Sequence, residues 1–306
     1  MTDDVLQRTT AAPPAAAAIG RRRWTRPFEV AGRLLPGRLA QIGALILLTI
    51  VFLALTADIL TPWDPYFQNY NALLQPPSED HPFGTDQIGR DQYARVVYGA
   101  RISLQVGVVA VGIGLVIGVL IGLVAGYYRG WVDEVLMRFL DALHAFPALV
   151  LALAITAVLG PGIINAMIAI GIVYVPTFAR LVRGQALSIR ERDYVVAARL
   201  AGAGPWRIMF RHIWPNVTAP IIVQASLAAG FAILAEAALS FLGLGVRPPE
   251  PSWGSMLRSG YQYLSLSPWL SIYPGIAIYL AVLGFNLLGD GLRQALDPRL
   301  RTRGRA

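Results

Sequence analysis

The sequence predicts an all-α integral membrane protein with six transmembrane helices, and three observations lead to that fold class. First, 55% of the 306 residues are hydrophobic and only 14% are charged, which leaves too few charges for an ordinary soluble surface. Second, six apolar runs reach about 20 residues, the length that a helix needs to cross a bilayer. Third, the arginines are concentrated in alternate connecting segments, as in proteins that span a membrane several times.

The six predicted spans follow one another along most of the chain. Their approximate ranges are 39–60, 103–128, 135–159, 163–181, 217–242 and 270–288. Pro147 is expected to kink the third span, because proline removes a helical hydrogen bond. The second span carries glycines near a four-residue rhythm, and small residues at that spacing let two helices approach closely. These glycines are Gly107, Gly112, Gly114, Gly118, Gly122 and Gly126.

The spans divide the chain into four predicted regions. They are a flexible cytoplasmic tail at 1–37, the first span with an outer loop at 38–102, a transmembrane core at 103–291 with a cytoplasmic loop at about 184–215, and a basic cytoplasmic tail at 292–306. A twin-arginine export signal is the alternative interpretation of the first tail. The apolar run after it is too long for a signal peptide and lacks a convincing cleavage site, so we expect an uncleaved first span.

The distribution of arginine predicts that both termini lie in the cytoplasm. In that orientation, 21 of the 26 arginines lie in cytoplasmic segments or at the cytoplasmic ends of spans, and five lie in or next to outer loops, a strong positive-inside bias. The net charge of +8 is therefore interpreted as a topology signal, and we expect no nucleic-acid partner. The chain contains no Lys and no Cys, which excludes a Walker A loop, a lysine Schiff base, a thiolate nucleophile and a cysteine-ligated metal.

The longest predicted cytoplasmic loop contains a short helix over residues 193–201. Four of its residues fall at i, i+3, i+4 and i+7 and therefore share one face. They are Tyr194, Ala197, Ala198 and Ala201. This face is small, with one aromatic edge, and is suited to entering a groove on another protein. Gly202 and Pro205 end the helix. Periodicity alone leaves open a second interpretation, a solvated basic loop that only fixes topology.

A second short helix is predicted after Pro205, and it is amphipathic. Its apolar face carries Trp206, Met209, Phe210 and Ile213. Arg207 and Arg211 lie four residues apart on another face, which places the helix at the membrane surface with its arginines toward lipid headgroups or an acidic partner. Pro215 lies where the fifth span begins.

Three polar residues within the predicted spans are candidates for a functional or a structural role. Glu236 lies inside the fifth span, and an intramembrane carboxylate is costly enough to be a functional candidate by default. It faces either a polar path between the helices or a neighbouring helix, and the structural role is favoured. Asp141 and His144 lie three residues apart on the third span and are expected to make a polar contact. A metal site would need further ligands, and we expect none.

The loop resembles a known motif, the cytoplasmic "EAA" loop of ABC-importer permeases. Ala197, Ala198, Gly202 and Pro215 match that motif in type and spacing, whereas Val196 stands where Glu is usual. Trp214 likewise stands where Leu is common. Two longer stretches, "HPFGTDQIGRDQYARVVYGARISL" and "EAALSFLGLGVRPPEPSWGSML", are similar to segments of peptide-importer permeases. Over about residues 39–299 the chain resembles the second permease subunit of dipeptide/oligopeptide ABC importers.

The resemblance implies a type I ABC importer permease fold in the bacterial inner membrane. It implies that the chain is not an enzyme and binds no cofactor, because two partner ATPases hydrolyse ATP-Mg. The other implied partners are a second permease subunit, an extracytoplasmic peptide-binding protein and membrane lipid. It also implies that the loop, with Tyr194, Ala201, Arg207 and its motif residues, couples the permease to the ATPases. Within the family, nickel chelates or glutathione are alternative cargoes.

Two other protein classes remain as alternatives, and one outer region has two interpretations. A self-contained secondary transporter would show an inverted repeat, and an intramembrane enzyme would need paired catalytic groups in its spans. Asp86, Arg90 and Asp91 in the first outer loop either contact the binding protein or pair with one another to stabilise the loop. Trp253 in the last outer loop is interpreted as an interfacial anchor.

Overall fold

The computed structural model describes residues 37–296, which are mainly helical. The predicted tail at 1–37 lies outside the described residues except for Gly37, and the tail at 292–306 is described only as far as Leu296. The helices are α1 (Arg38–Leu55), α2 (Ala57–Leu60), α3 (Gln92–Tyr128), α4 (Gly130–His144), α5 (Ala148–Leu159), α6 (Ile163–Ile189), α7 (Asp193–Leu200), α8 (Pro205–Arg207), α9 (Trp214–Phe241), α10 (Trp253–Tyr261) and α11 (Trp269–Leu296). A π-helical stretch, Ile208–Ile213, joins α8 to α9.

Five helices in the described part of the chain are long and apolar enough to cross a membrane. They are α1, α3, α6, the continuous helix from Pro205 to Phe241, and α11. The pair α4–α5 passes the same test only as a unit, and its two helices meet at 89°. The prediction of an all-helical membrane fold is thus confirmed, with five spans, or six if the bent pair forms one.

The kink expected at Pro147 is a complete break between two helices. α4 ends at His144 and α5 begins at Ala148. Pro147 has no N–H to continue the helical hydrogen bonds, and its backbone is extended (φ −53°, ψ 130°), so the chain leaves the break in a new direction. A cavity lies beside the break and is lined by residues on both sides of it.

Several spans, α3 and α6 among them, begin or end well beyond their predicted limits, because hydropathy marks only the apolar part of a helix. α3 begins at Gln92 rather than at about residue 103. The Asp91 side chain caps it by accepting a hydrogen bond of 2.7 Å from the Ala94 N–H, as expected for an N-cap aspartate. α6 continues past the predicted end to Ile189 and therefore reaches directly into the loop that precedes α7.

α3 and α6 run parallel and pack through the predicted glycine rhythm. A methyl group added at Gly118 would lie 2.7 Å from the Phe178 Cβ and 2.7 Å from the Val175 carbonyl oxygen. Gly114, Gly122 and Gly126 face α6 in the same way, with added methyl groups 2.5–2.7 Å from its atoms. Gly112 has no neighbour within 4 Å. Four of the six glycines thus let the two backbones approach closely, as small residues do between membrane helices.

α11 packs against both α1 and α9, in each case antiparallel, which closes the bundle. An added methyl group at Gly43 of α1 would lie 2.6 Å from the Leu287 Cβ. Gly289 of α11 has the same relation to α9, with Leu227 at 2.8 Å. A buried cluster that includes Ile233, Ala281 and Ile278 fills the space between these helices.

The first outer loop is held by buried ion pairs rather than left free. The Arg90 Nε donates to the Asp86 carboxylate at 2.6 Å, and the His81 Nδ1 lies 2.8 Å from the Asp91 carboxylate. All four side chains are buried. Of the two interpretations left open for Asp86, Arg90 and Asp91, the geometry shows the one in which they stabilise the loop.

Trp253 is a core residue, so its prediction as an interfacial anchor is wrong. It is 2% exposed, and its Nε1–H donates to the Val96 carbonyl at 2.9 Å. Gly99 of α3 faces the indole, with an added methyl group only 3.0 Å from the Trp253 ring. The prolines around Trp253 indicated a surface position, whereas the small residues on α3 create a buried one.

Candidate functional site

α7, in the loop between α6 and α9, is anchored to the bundle through one of its residues. Val195 is 0% exposed and packs in a cluster with Ile189, Ile208 and Ile213. The same cluster contains Val182 of α6 and residues of α3 and α9. Sequence analysis missed Val195, because it lies off the face that periodicity singled out. Its β-branched apolar side chain gave no distinguishing signal, because the neighbouring Val196 has the same side chain.

The remainder of α7 is accessible. Tyr194, Ala197 and Ala201 are exposed and Ala198 is half-buried, so the small face predicted from the sequence is open along its length. Val196 is 36% exposed. It stands at the position where the EAA motif usually has Glu. Leu200 is 85% exposed. An exposed helix carrying apolar side chains and fixed by one buried valine is well suited to receive a protein partner.

The end of α7 is a complete Schellman motif. The Ala203 N–H donates to the Ala198 carbonyl and the Gly202 N–H to the Arg199 carbonyl, both at 3.0 Å, which is the hydrogen-bond pair that defines the motif. Gly202 has a φ of +82°, which a residue without a Cβ adopts at no steric cost. An added methyl group there would meet nothing within 4 Å, so backbone conformation alone restricts this position.

The second predicted helix is present, but its single apolar face is not. Met209 and Ile213 are buried, whereas Trp206 is 62% and Phe210 45% exposed. The exposed rings stack on each other with their centroids 5.8 Å apart. The π-helical stretch explains the division, because the Trp214 N–H bonds to the carbonyl of Met209, five residues back, and this rotates the faces relative to an α-helix. Arg207 and Pro215 are both exposed.

The Arg190 side chain lies at the base of the loop, where the chain leaves α6. It donates to the Tyr127 carbonyl at the end of α3. Its pKa is lowered, first because burial disfavours its charge and second because the positive charges of Arg129 and Arg199 lie near it. Glu191 is the neighbouring acid that opposes this effect. The loop therefore begins in a concentrated group of arginines with one carboxylate among them.

A separate cavity opens at the break between α4 and α5. It has a volume of about 600 Å³ and lies against α6 and α9. Its lining is mainly apolar, with a few polar side chains, as is usual for small-molecule sites. These polar residues are His144, Tyr174, Thr177 and Gln224.

Asp141 and His144 point to different places. The Asp141 carboxylate accepts a hydrogen bond of 2.7 Å from the Arg180 guanidinium of α6, whereas His144 lines the cavity. Asp133 of α4 is held in the same way by Arg183, at 2.5 Å. Two ion pairs thus fasten α4 to α6 beside the cavity. Among residues 37–296, no three His, Cys, Asp or Glu side chains come together as a metal site.

Glu236 faces the protein interior and does not line the cavity. It is 0% exposed, and the Ser240 Oγ–H donates to its carboxylate at 2.5 Å. The Ser240 Oγ in turn accepts from the Val246 N–H at 3.1 Å. Glu236 thereby joins the end of α9 to the loop that follows, and its hydrogen bond to Ser240 lies within its own helix rather than to a neighbouring one.

Comparison with known proteins matches two parts of the chain. Residues 118–302, which include α6, the loop and α9, match the binding-protein-dependent transport system inner membrane component. The chain belongs to this family. Residues 29–77 match a second family, the N-terminal TM domain of oligopeptide transport permease C. The predicted membership is therefore confirmed, as is the predicted location, a multi-pass position in the bacterial inner membrane.

Relatives of this transport component cover nearly its whole length. A dipeptide transport system permease protein of Alkalihalophilus pseudofirmus is 47% identical over 91% of this chain and 91% of its own. A putative peptide transport system permease protein of Brucella suis is 47% identical over 90% of this chain and 92% of its own. A glutathione transport system permease protein of Pectobacterium atrosepticum is 44% identical over 88% of this chain and 90% of its own.

Proposed function

We propose that this chain is one of two permease subunits in an ATP-driven importer of dipeptides or oligopeptides. Family membership supports the transport role, and relatives named for dipeptide and peptide transport support the cargo. The observation that carries the coupling role is the geometry of α7. Val195 places the helix on a buried cluster to which three spans contribute, while the rest of the helix surface is free to meet a partner. Because the chain has no Lys and hence no Walker A loop, ATP hydrolysis belongs to partner ATPases and this subunit is not an enzyme.

The proposed assembly contains a second permease, two ATPases and an extracytoplasmic peptide-binding protein, all in or against the inner membrane. Both termini and the loop at about 184–215 face the cytoplasm, with the tails at 1–37 and 292–306 and the core at 103–291 as predicted. The coupling surface consists of Tyr194, Ala197, Ala198, Ala201, Gly202, Arg207 and Pro215. The chain itself binds no cofactor and no metal.

In the proposed mechanism, ATP binding draws the ATPases together and carries α7 with them. Because Val195 of α7 belongs to the buried cluster that α3, α6 and α9 share, these spans move with the loop and open the pathway outward. Hydrolysis reverses the movement. ATP can shift this equilibrium only by binding one arrangement of the ATPases better than the other.

The cavity beside the α4–α5 break is the proposed part of the pathway on this subunit. Its volume of about 600 Å³ lies in the range of small-molecule sites. Thr177, Gln224 and His144 offer hydrogen bonds to a passing peptide without a fixed opposite charge to hold it. Such weak, neutral contacts suit conduction, because a solute that binds too tightly would not leave.

The test is transport by the complete complex in proteoliposomes loaded with ATP. We expect uptake of a labelled dipeptide that requires ATP and a peptide-binding protein. Uptake without ATP or without the ATPases would overturn the proposal and favour a secondary transporter.

Glutathione is the second candidate cargo, favoured by the 44% identical glutathione permease. Competition by unlabelled glutathione against the uptake of labelled dipeptide distinguishes the two candidate cargoes. If glutathione is imported and dipeptides are not, the cargo assignment changes while the permease function stands.

A further inference from the structure

The turn between α3 and α4 makes a second attachment of the loop, independent of Val195. Arg129 in this turn forms an ion pair with Glu191, with its Nη2 2.9 Å from the Glu191 Oε1. The neighbouring Arg190 donates to the Tyr127 carbonyl, and its guanidinium carbon lies 6.0 Å from the centroid of the Tyr127 ring. The chain leaving α6 is therefore attached to the end of α3 by one ion pair and one hydrogen bond.

The backbone of the turn gives Arg129 a strained conformation. Its φ is +57°, and the following Gly130 has a φ of +58°. Glycine adopts this region freely, whereas a residue with a Cβ is disfavoured there. Arginine at this position thus works against local conformational preference, and its compensating interaction is the contact with Glu191. Observed strain of this kind is a reason to look for a function.

The position of the Arg129–Glu191 contact determines which helix movements it can transmit. α3 and α6 already pack as a parallel pair through their glycines, and the contact joins their ends at the point where α7 begins. Residues 190–192 between α6 and α7 are otherwise a short non-helical connection. A displacement of α7 that was not shared with α3 could be absorbed by bending this connection.

We propose that Arg129, Arg190 and Glu191 are positioning residues that make α3 and α6 move together when α7 is displaced. They form a clasp, the name used below for the Arg129–Glu191 ion pair together with the Arg190–Tyr127 hydrogen bond. This proposal rests on the proposed coupling function of α7. The clasp does not touch the solute or ATP. Its role is to pass the displacement of α7 on to α3 and α6, which bending of residues 190–192 would otherwise absorb.

Stability and coupling are separable at this site. Arg129 and Glu191 are each about half exposed, and an ion pair between exposed side chains adds little to folding stability. Arg129→Gly also removes the strain of the positive φ and so leaves the turn intact. Loss of the clasp should therefore impair coupling in a protein that folds and assembles normally.

The experiment measures solute imported per ATP hydrolysed by the complete complex in proteoliposomes, using labelled dipeptide as the probe. Arg129→Gly and Glu191→Gln are expected to lower this ratio by about three- to tenfold, the scale found when residues that link two sites are changed. The double variant should lose no more than Glu191→Gln alone, because both changes remove the same Arg129–Glu191 ion pair and Glu191→Gln also removes the 3.4 Å contact with the Arg190 Nε. Assembly of the complex and its Tm in detergent should be unchanged.

The control is Glu134→Gln, which removes an exposed ion pair to Arg138 of the same length, 2.9 Å, within α4. That pair does not join the loop, so the transport ratio should stay at the wild-type value. The clasp proposal is overturned if the ratio of imported dipeptide to hydrolysed ATP is unchanged in both single variants. It is also overturned if the two decreases in this ratio multiply in the double variant, or if the control variant shows as large a decrease. A wild-type complex that imports no dipeptide with ATP would instead refute the proposed function.

Discussion

At the scale of single residues, glycines determine how α7 ends and how closely α3 and α6 pack. Gly202 ends α7 through its positive φ, and Gly118 lets α3 and α6 touch. These two glycines are required for different physical reasons, one conformational and one steric. The reasons can be separated by choosing substitutions that violate only one of them.

Gly202 is expected to tolerate Asn but not a residue that avoids positive φ, such as Trp. Asn adopts the left-handed region more readily than other residues with a Cβ, and open space surrounds this position. Gly202→Trp should distort the turn after α7 and uncouple ATP hydrolysis from transport, whereas Gly202→Asn should retain most of the coupling. The measurement is uptake per ATP in proteoliposomes. Full transport by Gly202→Trp would contradict a coupling role for this turn.

Gly118→Ala should destabilise the protein by about 1–3 kcal/mol, the usual cost of overpacking a tight interior. The added methyl group would lie 2.7 Å from the Phe178 Cβ and from a backbone oxygen of α6, and backbone cannot rotate away. Gly112→Ala on the same helix is the matched control, since nothing lies within 4 Å there. Thermal unfolding in detergent compares the two. Equal Tm values for both variants would show that α3 and α6 do not pack this closely.

At the scale of elements, α7 is stabilised almost entirely from outside itself. Eight residues are too few for an independent helix in water, and only Val195 is buried. The capping hydrogen bonds at Gly202 close its end, and the hydrophobic cluster under Val195 fixes its position. Its attachment should therefore depend strongly on one side chain.

Val195→Ala is expected to loosen α7 at a cost of about 2 kcal/mol, from two lost methyl groups and the space they leave. The neighbouring Val196→Ala is the control, because Val196 is 36% exposed while Val195 is 0% exposed. Hydrogen exchange of residues 193–200 in detergent should accelerate in the first variant only. Similar acceleration in both variants would mean that Val195 is not the anchor.

Sequence reasoning located this element correctly and missed what holds it. The predicted helix at 193–201 is observed as Asp193–Leu200, because its small residues and the following glycine are local signals. The burial of Val195 and Trp253 depends on residues that are far away in sequence, and hydropathy does not distinguish a side chain facing lipid from one facing protein. The π-helical stretch and the complete break at Pro147 depend likewise on packing between spans. The Arg129–Glu191 contact joins residues 62 positions apart, a relation that no local pattern encodes.

At the scale of the whole molecule, α3 separates two polar ends. It has 37 residues and is therefore about 55 Å long, well beyond the roughly 30 Å of a hydrocarbon core. The buried ion pairs of the first outer loop lie at its beginning, and the clasp lies at its end. If the loop at 190–204 is cytoplasmic, as the arginine distribution predicts, the loop at 61–91 must face the other side.

This orientation can be tested directly, because the chain contains no cysteine and any introduced thiol is the sole target of a maleimide. Leu200→Cys and Tyr70→Cys place one thiol at each end, on side chains that are 85% and 69% exposed. In intact spheroplasts, a membrane-impermeant maleimide should label Tyr70→Cys and leave Leu200→Cys unlabelled. Inverted membrane vesicles should give the opposite pattern, and detergent should expose both. Labelling of Leu200→Cys in intact spheroplasts would place α7 outside the cell, where no ATPase could reach it, and the coupling mechanism would have to be abandoned.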